Sequence, residues 1–87
     1  MTGADVEAYE RAQRAILELK RSIHELLATS PPEGLQNAEI GRALGIYMGH
    51  AGHEGHIPRV LLGLMENEGA VVQDPGTKRW RLRSIGT

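Results

Sequence analysis

The 87 residues predict an α+β domain that is mostly helical: three helices, the first of them long, and a C-terminal two-stranded hairpin. Three observations lead there. Apolar residues recur at spacings of three and four from Tyr9 to Leu27, and the pattern stops before Pro31-Pro32. Two shorter apolar stretches each run into a glycine, Gly45 and Gly69, as helices ending in a left-handed cap do. The final stretch switches to period two, with Trp80 and Leu82 alternating with Arg79, Arg81 and Arg83.

For the first helix, Asp5 is the expected N-cap, and Glu7 and Glu10 complement the helix dipole. Tyr9, Ala12, Ile16, Leu19, Ile23 and Leu26 then form one stripe, which Leu27 widens. The spacing predicts a helix of about 24 residues, roughly 36 Å long at 1.5 Å per residue. A small core reaches only the part from Ile16 to Leu27. Residues 1–13 are therefore expected to project as a helical extension, with residues 14–87 forming the domain proper. Tyr9, Ala12 and Ile16 would start a coiled-coil-like seam for a homodimer. A solvent-exposed N-terminus is the competing reading.

Leu35 reads as a short strand-like anchor. Asn37 is the expected N-cap of a helix over 38–44, with Ile40, Ala43 and Leu44 inward and Glu39 and Arg42 outward. Gly45 fits its C′ position, with Ile46 tucked behind. The third helix is expected to begin with Pro58 at N1, burying Ile57, Val60, Leu61, Leu64 and Met65. Arg59, Leu62, Gly63 and Glu66 would lie on the other side. Beyond Asp74-Pro75-Gly76, period two directs Trp80 and Leu82 to the core and three arginines to one outward face, with Lys78 in the turn.

Composition narrows the function. With no Phe, one Trp and two Tyr the core must be aliphatic and small, which favours self-association. The absence of cysteine excludes disulfides, thiolate metal sites and a Cys nucleophile. No apolar run has the length of a membrane span, so a soluble, cytoplasmic protein is expected. No nucleophile elbow, carboxylate pair or phosphate loop occurs, and no enzyme is expected. Net charge is −1, but it is unevenly placed: residues 1–34 carry six acids and four bases, whereas residues 75–87 carry Lys78, Arg79, Arg81 and Arg83 with no acid. Such asymmetry suits a phosphate backbone.

Between the second and third helices, residues 47–56 contain Gly49-His50, Gly52-His53 and Gly55-His56. Three readings fit. The glycines leave backbone amides open before a helix N-terminus, where they and the histidines could meet phosphate. His50, His53 and His56, with Glu54, could instead ligate zinc or nickel. Or the segment is a surface insertion without specific chemistry.

Helix, turn, helix and hairpin in this order over 35–83 resemble the winged helix-turn-helix family. The resemblance implies a sequence-specific protein for double-stranded DNA, a small transcriptional regulator acting as a homodimer. It would place Arg59 and its helix in the major groove and hold backbone with Lys78, Arg79, Arg81 and Arg83. Arg42 and the loop histidines would add phosphate contacts. The long segment between the helices departs from the 3–4-residue turn of a simple helix-turn-helix. Two alternatives accompany this reading: a winged helix used for protein–protein contact, and a metal-responsive regulator working through the histidines.

Overall fold

A computed structural model of the chain describes residues 2–49, 52 and 54–83. It is α+β and mostly helical, as the periodicities predict: α1 (Gly3–Ala28), α2 (Asn37–Ala43), α3 (His56–Asn67), β1 (Val71–Gln73) and β2 (Trp80–Leu82). The strands pair antiparallel, with Val71 opposite Leu82, Val72 opposite Arg81 and Gln73 opposite Trp80. Leu35 bridges the free edge of Trp80 through Leu35 N–H to Trp80 O at 2.9 Å and Trp80 N–H to Leu35 O at 2.7 Å. That is the strand-like anchor expected at this position.

α1 starts three residues earlier than the Asp5 cap would allow. Thr2 is the N-cap: its hydroxyl accepts from Asp5 N–H at 3.2 Å while the Asp5 carboxylate accepts from Thr2 N–H at 3.1 Å. This is the reciprocal capping box, with Asp in place of Glu or Gln. The helix runs 26 residues, and only Ile23 and Leu27 are fully buried. Ile16, Leu19 and Leu26 are half-buried against the core, and every residue from Thr2 to Ala15 is exposed. The first half of α1 is therefore exposed among the described residues. Its projection raises the radius of gyration to 14.6 Å, against about 12 Å for a compact chain of this length.

α2 is capped one residue before Asn37. Gln36 is the N-cap, and its N–H donates to Glu39 Oε1 at 2.8 Å. Ile40 is fully buried, but Ala43 is exposed and Gly41 takes the inward place instead. A Cβ there would crowd Tyr47 and Pro58, so a glycine lets α2 approach the start of α3. Both short helices end in a Schellman motif. Gly45 N–H donates to Arg42 O and Ile46 N–H to Gly41 O; Gly69 N–H donates to Glu66 O and Ala70 N–H to Met65 O. The glycine stops are where the sequence puts them.

α3 differs from expectation in start and rotation. His56, not Pro58, is its first residue, and Gly55 with φ 87° is the N-cap. Proline at the third position is tolerated because first-turn N–H groups lack intrahelical acceptors anyway. The buried stripe is Pro58, Leu61, Leu62 and Met65. Ile57, Val60 and Leu64, expected inside, lie on an exposed face, and Leu62, expected outside, is fully buried. Around α3 the apolar residues span more than half the circumference, so spacing alone leaves the rotation open. Docking Pro58 against Gly41 selects it.

The core unites Ile23, Leu27, Ile40, Leu61, Leu62, Met65, Val71 and Trp80. Gly34 is the tightest backbone approach around it. Its φ is 84°, and a Cβ there would run into the Trp80 carbonyl, so the Leu35–Trp80 bridge depends on glycine at this position. Among the described residues, no helix is long and apolar enough to cross a membrane.

Candidate nucleic-acid interface

Four cations of the hairpin were expected to form one outward edge, and the structure divides them. Arg81 is exposed on β2, opposite Val72, and Lys78 is exposed beside the turn with φ 65°. Neither makes an ion pair among the described residues. Arg79 is turned inward instead. Its Nη1 donates to Gly34 O at 2.9 Å and lies 3.4 Å from Glu39 Oε1, tying the hairpin to the segment before α2. The period-two pattern fails at Arg79 because it precedes the first paired residue of β2. The Arg83 guanidinium lies over Gly69 at the C-terminal end of α3. α3 has no basic residue in its own last turn, so this cation complements its dipole.

The turn itself is held by one carboxylate. Asp74 Oδ2 accepts from Thr77 N–H at 2.7 Å, Thr77 Oγ1 at 3.0 Å and Gly76 N–H at 3.0 Å. The Thr77 amide above all, then its hydroxyl, the Gly76 amide and the Arg81 charge, hold the Asp74 carboxyl below its ordinary value of 3.8. A folded pKa below the unfolded one stabilises the fold above pH 3.8, and the contribution is lost as pH falls through the lowered value. Asp74→Asn should lack this acid-limb loss. Thermal midpoints of the two proteins, compared from neutral pH downwards, should differ most at neutral pH and converge in acid. A constant difference at every pH would assign Asp74 no titrating role.

On the helical side, Arg59 is exposed on the first turns of α3 and Arg42 is exposed on α2, its guanidinium 4.8 Å from the centre of the Tyr47 ring. His56 opens α3 and, with Leu19, Ile57, Val60 and Leu61, lines an open groove of ≈ 270 Å³. It faces the apolar side of the helix. His50 and His53 lie outside the described residues. Within the remainder of that loop, Glu54 Oε2 accepts from Gly52 N–H at 3.0 Å.

Two features of this region escaped the sequence. Asn37 does not cap α2; its Nδ2 donates to Gly55 O at 3.1 Å, the same carbonyl that accepts from Arg59 N–H. Asn37 thus fixes the start of α3 relative to α2, and a Cβ on Gly55 would collide with it and with Tyr47. No local pattern announces a contact across 18 residues. The second is the exposed apolar face of α3. Each is a consequence of how α2 and α3 dock, which period and capping rules do not address. Comparison of the chain with protein-family models, curated proteins and solved structures finds no match.

Proposed function

We propose that the chain is a winged-helix DNA-binding protein, a small transcriptional regulator working as a homodimer. The observation that carries the reading is the pairing of α2 and α3 with a hairpin whose Lys78 and Arg81 are exposed and, among the described residues, in no ion pair. In this reading Arg59 on α3 approaches a groove and the two hairpin cations hold backbone phosphate, while Arg42 adds a contact from α2. Arg79 contributes charge, but its first role is to hold the hairpin in place; Arg83, exposed beside Gly69, adds charge to the same edge.

A second reading has its own support. Ile57, Val60 and Leu64 give α3 an exposed apolar flank, and a helix used only to meet DNA has no use for it. A protein-contact module would. The two readings differ in salt dependence. Binding to random-sequence duplex DNA, followed by anisotropy, should weaken linearly in log[salt] with a slope of roughly −0.9 per phosphate contact. At least three phosphate contacts are expected, from Arg42, Lys78 and Arg81. Absence of duplex binding at low salt would discard the DNA reading in favour of the protein-contact one.

A further inference from the structure

The free half of α1 carries an apolar face from Ala8 onward, with Asp5 at its N-terminal end, and the described residues leave it exposed. Ala8, Tyr9, Ala12, Ala15 and Ile16 follow each other at helical spacing on one side, and Tyr9 is 62% exposed. Glu7, Glu10, Arg11, Arg14 and Glu18 occupy the opposite side. Leu19 continues the apolar face into the groove it forms with Ile57 and Val60 of α3, where Val60 is 60% exposed. Helix face and groove are thus one uninterrupted surface along α1.

We propose that this surface is an interface with a second copy of the chain, the two α1 helices running antiparallel about an axis near Ala12. Each free half then lies along the Leu19–Ile57–Val60 groove of the other copy. Three observations select this occupant. The first is charge. Residues 3–10 carry Asp5, Glu7 and Glu10 with no base, while residues 11–21 carry Arg11, Arg14, Lys20 and Arg21 against Glu18. Glu7, Glu10, Arg11 and Arg14 point away from the seam and make no pairs across it. An antiparallel arrangement still lays the acidic end of one helix along the basic stretch of the other, whereas a parallel one sets like beside like.

Reach is the second. The groove begins at Leu19, seven positions beyond Ala12. A twofold axis at Ala12 brings the turn seven positions before it, around Asp5 and Val6, level with that groove. Val6 is itself an exposed apolar residue. Small alanines at the centre let the helices approach closely there. Area is the third. The chain exposes 6093 Å², about 1000 Å² more than a compact protein of its mass. One partner in a standard-size interface buries about 800 Å². The surplus surface is of the size a twofold dimer removes.

The chain has no cysteine, which makes the arrangement testable in the full-length protein without DNA. Ala12→Cys and Tyr9→Cys are both exposed changes that leave the core intact. Sedimentation should show a dimer at micromolar concentration. On mild oxidation Ala12→Cys should form a disulfide-linked dimer in high yield, because its two copies meet at the axis. Tyr9→Cys should not, because its copies lie on opposite sides of it. Val60→Glu should raise the dissociation constant at least about tenfold by bringing a carboxylate into the groove. Its far-UV circular dichroism should match the wild type. A protein that stays monomeric at high micromolar concentration overturns the proposal. So does ready cross-linking of Tyr9→Cys, the signature of a parallel pair, or a Val60→Glu dimer as tight as wild type. Loss of DNA binding by itself leaves these readouts unchanged, so the dimer and the DNA reading stand or fall separately.

Discussion

Leu62→Ala is expected to destabilise the domain by about 2–5 kcal/mol, while Leu64→Ala, two positions on, should cost about 1 kcal/mol or less. Leu62 is 0% exposed and sits at the centre of the core between α1, α2 and the hairpin; Leu64 is 40% exposed on the flank of α3. Truncating Leu62 leaves a cavity that a close-packed interior cannot refill. A chain of this length has a total stability of about 4–13 kcal/mol. The Leu62 variant should therefore be largely unfolded at the temperature where wild type begins to melt. Urea denaturation at one fixed protein concentration, followed by circular dichroism, gives both differences and keeps any dimer contribution constant. The order of the two effects is the decisive result. A larger loss for Leu64 would mean that α3 is rotated as its periodicity alone suggests.

That pair of leucines also marks where the sequence stops being legible. α1 could be read almost residue by residue, because its apolar stripe is narrow and Pro31-Pro32 permits no continuation. Only its cap differs: Thr2 precedes Asp5 by the three residues of a capping box, a pattern the sequence contains. The glycine stops and the Leu35 anchor were legible for similarly local reasons. In α3 the apolar residues are too many to define one face, and a docking contact made by Gly41, Tyr47 and Pro58 decides among them. The candidate interface shows the same division. Arg81 and Lys78 are exposed where alternation and turn chemistry put them, whereas Arg79 depends on the distant Gly34 and Glu39. Local rules placed the elements; contacts between distant segments chose the faces.

The division among the hairpin cations leads to a sharper functional test than removing them together. Lys78→Ala with Arg81→Ala should lower affinity for duplex DNA about 10–100-fold at low salt and flatten the log–log salt slope by about two units, since each exposed cation releases about one counterion. Folding should change little, because both side chains are exposed and neither is in an ion pair among the described residues. The Arg81 charge near Asp74 acts after the Thr77 and Gly76 donors that hold that turn. Arg79→Ala should behave in the opposite way. It removes the donor to the Gly34 carbonyl and the partner of Glu39, with an expected loss of about 1 kcal/mol, reduced by the partial exposure of the pair. Its direct effect on the salt slope should be less than half of that of the double variant. The comparison separates charge that meets phosphate from charge that holds the fold. If Arg79→Ala flattens the slope as much as the double variant while leaving stability untouched, Arg79 is released from Gly34 when DNA binds, and the hairpin meets phosphate with all its arginines. If neither variant changes the slope, the hairpin does not touch DNA, and the exposed face of α3 becomes the surface on which the function of this chain must be sought.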